Sequence, residues 1–309
     1  MKKVLITGIE GFVGTHLAEY LHKKKYKIFG IHFAQPSKKI GKLYRCDIRD
    51  YPKLFQVIKE IKPEVIFHLA AQSSVSQGEK NILDTFSINV QGTLNILESV
   101  RQIGIKARII YISSCEIYGQ SDSKLTEISL ARPLSFYATS KLCAENICQY
   151  YFTHYGMDIV ILRPFSHTGP GQSEQFIFPR IAKQVAEIEA GLTEPFLTVG
   201  NIDVQRDYTD ISDIIEAYYL ALEKCRKGEL YNITSGKLYS IRKGIEYLIK
   251  LTNKKIIIKT DKKLMRSNDI SLLTGSAKKF MRATGWKPEI DFFTTLTNLL
   301  NYYRETTRK

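Results

Sequence analysis

Tyr137 and Lys141 stand four residues apart in the stretch SFYATSK, and Ser114 precedes them in SSCEIYG. At that spacing a tyrosine and a lysine share one face of a helix. A phenol with an ordinary pKa near 10 exchanges protons poorly at neutral pH, and an ammonium beside it would lower that value. Tyr137 could then pass a proton to or from a substrate oxygen, with Ser114 holding the same oxygen through a hydrogen bond. The same spacing also arises on ordinary amphipathic helices, so the pair needs a second feature to become specific.

That feature lies at the start of the chain. Gly8, Gly11 and Gly14, in VLITGIEGFVG, follow an apolar strand and open a helical pattern. Glycines there let backbone N–H groups approach a pyrophosphate at the positive end of the helix, although they also serve tight strand-to-helix packing. Bound dinucleotide would give Tyr137 a direction: in reduction it protonates a carbonyl as hydride arrives, and an oxidised nicotinamide ring helps to lower its pKa. The end of the second strand usually selects the cofactor, an acid there holding the ribose 2′-hydroxyl of NAD. In GIHFAQPSKK, His32 takes that place, with Lys38 and Lys39 just downstream. The missing acid favours NADP(H), with NAD(H) still usable, while the same lysines also suit an exposed loop. Asp47, in RCDIRD, offers an acceptor for an adenine amino group or a cap for the next helix.

The elements that must position these residues alternate. Strands are expected in KKVLITG, YKIFGIHF, EVIFHLAA, ARIIYIS and DIVILRP, with helices over 11–24, 51–61, 81–103 and 136–155. Apolar strands joined by helical crossovers make an α/β, Rossmann-like, doubly wound parallel sheet. After Pro164 the alternation weakens into the Gly/Pro loop SHTGPGQS. RDYTDISDIIEAYYLALEKC then reads as a helix with acids near its start, and KIIIKT as a short strand. The division that follows is a dinucleotide domain over 1–165 plus 207–236 and a smaller discontinuous substrate domain over 166–206 plus 237–309. The crevice at the carboxyl ends of the strands is where ligands of such sheets bind.

Bulk properties narrow the class. The 309 residues are 44% hydrophobic and 25% charged, as in a soluble globular protein. Five cysteines without a CxxC pair argue against a disulfide framework or zinc site and for a reducing cytoplasm; no metal site is expected. The net charge of +14 would suit a polyanion, but no RNA-binding signature accompanies it, and helix-end or solvated lysines account for it. Neither nucleic acid nor membrane is expected as a partner.

With these motifs in place, the chain resembles the extended short-chain dehydrogenase/reductases that act on nucleotide sugars. TGIEGFVG, HLAAQSSV, NVQGTLNILE, SSCEIYG, SFYATSK, LRPFSHTGPGQ, RDYTDISD and YNITSG occur in that family's order over nearly the whole chain. The resemblance implies that Ser114, Tyr137 and Lys141 are the catalytic triad. It also implies cofactor contacts from Phe12, Val13, Ile48, Leu69, Ala70, Ala71, Asn89, Pro164 and Phe165. RPFSHTGPGQSEQFIFPRIAKQVAEIEAG and MRSNDISLLTGSAKKFMRATGWKPEI look like the reductases of GDP-4-keto-6-deoxy-D-mannose, which form GDP-D-rhamnose by hydride delivery to carbon 4. That subgroup would place Ser166, His167, Arg180, Arg206, Arg266 and Asp269 around the nucleotide half of the substrate. Arginines suit a pyrophosphate and an aspartate suits a ribose diol. Ion pairing with Asp207 or Asp210 is the alternative for Arg206, and a solvated loop for Arg266. The chain departs from the pattern at Ser166, where an asparagine is expected, and in SNDI, which replaces a proline-containing loop.

Glu116 admits another chemistry. Related 4,6-dehydratases use a glutamate there to remove the carbon-5 proton, but they carry different residues at 114 and 115, and the resembled reductases share the glutamate. Glu116 is therefore expected to contact substrate, with a dehydratase or 4-epimerase as the alternative activity. A silent dinucleotide-binding protein is a third reading, and the intact triad speaks against it. His68 reads as a core residue and His154 as a helix-end charge. In this family, helices like 81–103 and 136–155 form a homodimer interface, which Leu94, Leu97, Ile147 and Tyr151 could serve or which could leave them in the core.

Overall fold

The computed structural model describes residues 1–36, 38–261, 264–265 and 270–307. Arg266 and Asp269 therefore lie outside the described residues. Six strands of the first half, β1 (Lys3–Thr7), β2 (Lys27–His32), β3 (Lys42–Arg45), β4 (Val65–His68), β5 (Arg108–Ile112) and β6 (Ile159–Pro164), join the later β10 (Leu230–Ile233) in one sheet. Its order is β10-β6-β5-β4-β1-β2-β3, and every pairing is parallel. The order reverses between β1 and β4, so the loops after those strands open into one crevice.

Both faces are covered, which is why the strands read as continuous apolar runs. One face carries α1 (Phe12–Lys23), with α8 (Ile211–Lys224) and α10 (Lys278–Thr284). Leu17, Leu21, Tyr218, Phe280 and Trp286 pack there against Val4, Ile6 and Phe67. The other face carries α2 (Tyr51–Ile61), α5 (Gly92–Ile103) and α6 (Phe136–Tyr155), with Leu54, Ile58, Ile96 and Leu97 in the core. Leu97 and Tyr151 are both buried there, whereas Leu94 is exposed.

Two predicted helices differ in detail. The stretch 81–103 is not one α-helix. After α3 (Val75–Lys80), α4 (Ile82–Phe86) runs into a π-helical segment, Ser87–Gln91, before α5. Asn89 lies in that wider turn and uses its side chain elsewhere: it accepts from the Gln72 amide at 2.8 Å and donates to the Gln72 carbonyl and Ser140 Oγ. Likewise RDYTD is not helical. It forms β9 (Gln205–Asp210), and Asp210 caps α8 by accepting from the Ser212 amide.

The second layer sits past β6. Strand β9 is flanked by β7 (Ser166–Thr168), β11 (Leu238–Ser240) and β13 (Leu272–Leu273), while β8 (Phe196–Val199) pairs with β12 (Ile257–Thr260). Helices α7 (Ile177–Glu189), α9 (Ile241–Lys250) and α11 (Phe292–Thr307) close a separate core around Phe178, Leu248, Phe292 and Leu296. Among the described residues no helix is long and apolar enough to cross a membrane, and no group of His, Cys, Asp and Glu could hold a metal ion.

Candidate active site at the carboxyl ends of the strands

The glycine turn has the geometry its residues suggest. Gly8 has φ +69°, and a Cβ there would lie 2.9 Å from the Ala70 backbone. A Cβ on Gly14 would stand 2.3 Å from the Gly8 carbonyl oxygen. Neither position tolerates a side chain. Gly11 is the N-cap of α1 and provides no side-chain cap, and the first turn holds no acid. The leading amides of the helix, with Phe12 and Val13, are thus left for an anion. Leu69, Ala70 and Ala71 follow β4 beside this turn, the Ala70 amide donating to Thr7 Oγ1 at 3.2 Å.

The far end of the crevice is built differently from a simple sequence reading. His32 ends β2 with Nδ1 2.9 Å from the Ala34 carbonyl. Lys38 is ion-paired with Glu19 on α1. The Asp47 carboxylate is engaged by Arg49, whose guanidinium holds it below the usual carboxylate range. Asp47 does not cap α2; Asp50 does, accepting from the Lys53 amide. Ile48 is buried against Gly92.

The Ser114 and Tyr137 side chains meet through a hydrogen bond, and Lys141 follows on the same helix. Ser114 leaves the sheet after β5 and accepts from the Glu116 amide at 3.2 Å. Ser135 caps α6 through the Ala138 amide, which sets Tyr137 in the first turn with Lys141 one turn on. All three are buried. Burial raises the Tyr137 phenol well above 10, Ser114 pulls it back through a hydrogen bond, and the nearby Glu116 carboxylate raises it again. The expected lowering by Lys141 is absent here, because the ammonium lies over the Tyr111 ring, 4.7 Å from its centroid. Burial lowers Lys141 to about 8, partly opposed by Glu145. Glu145 itself pairs with Arg163 at 2.6 Å in a buried bridge that continues to Tyr118.

A chain of small polar groups ties the turn to helix α6. His68 bridges Thr7 Oγ1 and Thr93 Oγ1, each at 2.9 Å, and burial depresses it to about 3, so it is neutral. Thr93 donates to the Asn89 carbonyl, Asn89 to Ser140, and Ser140 to the Tyr137 carbonyl. Asn89 therefore fixes the helix that carries Tyr137. His68 is the core residue its apolar strand suggested.

On the side of the second layer, Pro164 ends β6 and Phe165 is buried against Tyr118. Ser166 and His167 begin β7, and burial holds the imidazole of His167 neutral while its Nδ1 meets the Phe165 carbonyl at 3.0 Å. Arg206 is buried on β9, with one N–H donated to the Gln205 carbonyl. Arg180, in the first turn of α7, is half-buried, and its Nε is buried without a hydrogen-bond partner. Asp207 serves a structural end instead, receiving Thr234, Ser235 and Gly236 in the turn after β10.

Three residues of this crevice escaped sequence reasoning. Tyr111, under Lys141, looks like any strand residue. Ser140 sits between Tyr137 and Lys141 with no motif value of its own. Glu10 was legible: it is an acid inside a glycine turn whose second strand lacks one.

Comparison with known proteins places this geometry. The family model for GDP-mannose 4,6 dehydratase matches residues 5–299. The GDP-6-deoxy-D-mannose reductase of Pseudomonas aeruginosa is 32% identical over 100% of this chain and 99% of its own. Among solved structures, the RMD protein of the same organism, complexed with NADPH, is 32% identical, with a TM-score of 0.89 over 99% of this chain and 100% of that one. A UDP-glucose 4-epimerase of Thermus thermophilus, complexed with NAD, is 27% identical, with a TM-score of 0.87 over 98% and 99%.

Proposed function

The chain belongs to the GDP-mannose 4,6 dehydratase family, and within it we propose a reductase that converts the carbon-4 ketone of a GDP-linked 4-keto-6-deoxyhexose to an alcohol, NADP(H) being preferred and NAD(H) accepted. The observation that carries this reading is the buried Ser114, Tyr137 and Lys141 constellation beside a glycine turn that excludes side chains, in a chain similar over its full length to a GDP-6-deoxy-D-mannose reductase.

Residues of the turn would hold the dinucleotide: Gly8, Gly11, Phe12, Val13 and Gly14 around the pyrophosphate, and Leu69, Ala70 and Ala71 behind it. Asp47 and Ile48 would lie towards the adenine, and His32 and Lys38 towards the ribose. The reduced nicotinamide supplies the hydride. Tyr137 would supply the proton: burial keeps its phenol protonated, and the lowering that proton transfer needs would come from the Lys141 ammonium brought beside it. Ser114 holds the carbonyl oxygen as charge develops on it. Lys141, positively charged below about pH 8, would stabilise the phenolate left behind once its ammonium turns from the Tyr111 ring towards Tyr137. Pro164 and Phe165 would border the nicotinamide. Ser166, His167, Arg180 and Arg206 would face the nucleotide, the orphan Nε of Arg180 being suited to a pyrophosphate oxygen. Arg266 and Asp269 are proposed for the same half on resemblance alone.

We also propose the division into 1–165 plus 207–236 and 166–206 plus 237–309, with residues 278–286 of the second part packing back onto the large sheet. A homodimer in the cytoplasm is proposed, and the exposed Leu83, Phe86, Leu94 and Tyr150 on α4, α5 and α6 support the interface. Dilution-series light scattering that finds monomer alone overturns it.

A second reading, 4,6-dehydratase or 4-epimerase, rests on the Glu116 carboxylate close enough to raise both Tyr137 and Cys115. One assay separates the two. NADPH oxidation with GDP-4-keto-6-deoxymannose, abolished in Tyr137→Phe, supports the reductase. A keto product formed from GDP-mannose alone, with no NADPH consumed in either reaction, gives the site to dehydration and Glu116 the base role.

A further inference from the structure

Strand β2 ends at His32 without an acid, yet a carboxylate occupies its end. Glu10, between Gly8 and Gly11 of the turn, accepts at Oε1 from the Phe33 amide at 2.8 Å and from the Ala34 amide at 3.3 Å. Its other oxygen, Oε2, is buried and has no hydrogen-bond partner. A buried, unpaired carboxylate oxygen is costly unless something donates to it. In this fold the donor that arrives at the end of the second strand is a ribose hydroxyl of the dinucleotide.

We propose that Glu10 supplies from the glycine turn the carboxylate that β2 lacks, receives the adenosine-ribose 2′-hydroxyl, and thereby sets how far the protein separates cofactors with and without a 2′-phosphate. The inference rests on the dinucleotide reading above and deepens it. Two opposing sets of charge meet at this ribose. Arg45 stands in register with His32 at the ends of β2 and β3, and Lys39 in the loop after β2 is exposed; these two positive charges attract a 2′-phosphate. Lys38 contributes less, being paired with Glu19. Glu10 acts against them, repelling a phosphate dianion and rewarding a hydroxyl. It is the group that keeps NAD(H) usable in a site whose rim is cationic.

The test is equilibrium binding, read by nucleotide fluorescence and needing no turnover. Dissociation constants for NADH and NADPH are measured on the wild type, Glu10→Gln and Glu10→Ser, each checked for a native circular dichroism spectrum. Glutamine keeps an oxygen for the Phe33 and Ala34 amides while removing the charge. The ratio of the NADH constant to the NADPH constant rises about tenfold or more in both variants, the size of one charge-assisted hydrogen bond. An unchanged ratio, with stability reduced, overturns the proposal and leaves Glu10 as a cap for the end of β2. A second measurement needs no variant: the 2′-deoxyadenosine analogue of NADH binds the wild type about tenfold more weakly than NADH, and equal affinity overturns the proposal. Failure of the wild type to bind either cofactor overturns the dinucleotide reading itself and this inference with it.

Discussion

The ring of His167 lies parallel to that of Phe12, with planes 10° and centroids 6.3 Å apart. The loop that follows β6 thus rests on the helix that leaves the glycine turn. His16, edge-on to Phe12 at 5.3 Å, adds a hydrogen bond to the Pro170 carbonyl at 2.9 Å. The two halves of the crevice are therefore joined through aromatic contacts, so a loss at His167 is felt on both sides. His167→Ala is expected to raise KM for the reduced cofactor and for the nucleotide sugar together, each by about fivefold to tenfold, the worth of one aromatic contact. Steady-state kinetics varying each substrate in turn check this; a change confined to one KM would mean that the stack does not couple them.

Under the proposed function, Lys141 is expected to give the activity a basic limit. Burial has brought its pKa down to about 8, so its charge is present below that pH and lost as the pH rises through it. The rate of carbonyl reduction is expected to fall above about pH 8, with kcat/KM measured from pH 6 to 10. Lys141→Met should remove that limb along with most of kcat. A wild-type profile flat to pH 10 would show that the ammonium is not required.

His68 gives the fold an acid limit. In the native state its pKa lies at about 3, against an ordinary 6.5, so the unfolded chain takes up the proton first as the pH falls. Its contribution to stability is complete above 6.5 and is lost progressively as the pH falls towards 3. His68→Gln is expected to cost about 2 kcal/mol at pH 7 through broken buried hydrogen bonds and to flatten the acid slope. Urea denaturation at pH 7, 5.5 and 4 reads both effects; parallel slopes in wild type and variant would contradict the assignment.

Much of this was legible in the sequence, and particular residues show why. Gly8, Gly14, Tyr137 and Lys141 announce themselves because their chemistry depends on local spacing along one turn or one helix. Helix 136–155 was legible to the residue, being framed by Ser135 and Gly156 as caps. The π-helical turn at Asn89 was not, since it is set by partners at Gln72 and Ser140 that are distant in sequence. The same holds for RDYTD. Its acids look like a helix start, but β7, β11 and β13 recruit it into a sheet. The orientation of Lys141 towards Tyr111 was also hidden, because a strand residue facing a helix leaves no mark in the spacing of either.

Under the proposed function, Arg180 is expected to separate substrate binding from cofactor binding. Its Nε is buried and unpaired, and burial alone lowers its pKa, so an anion at this place relieves both penalties. Arg180→Ala is expected to weaken the nucleotide sugar about 10- to 100-fold, the range for a charged hydrogen bond, with NADPH affinity unchanged. Titration calorimetry with GDP and with NADPH reads the two separately. Equal losses for both would place Arg180 in the framework of the crevice.

The central claim, hydride delivery to carbon 4 of a nucleotide-linked hexose with Tyr137 as the acid, is tested most directly by isotope transfer. The protein is supplied with NADPH carrying deuterium at the transferable position of the nicotinamide and with GDP-4-keto-6-deoxymannose, and the product sugar is read by proton NMR. The account predicts deuterium at carbon 4 in every product molecule formed and almost no product from Tyr137→Phe. Product without deuterium at carbon 4, or Tyr137→Phe turning over at the wild-type rate, would contradict it.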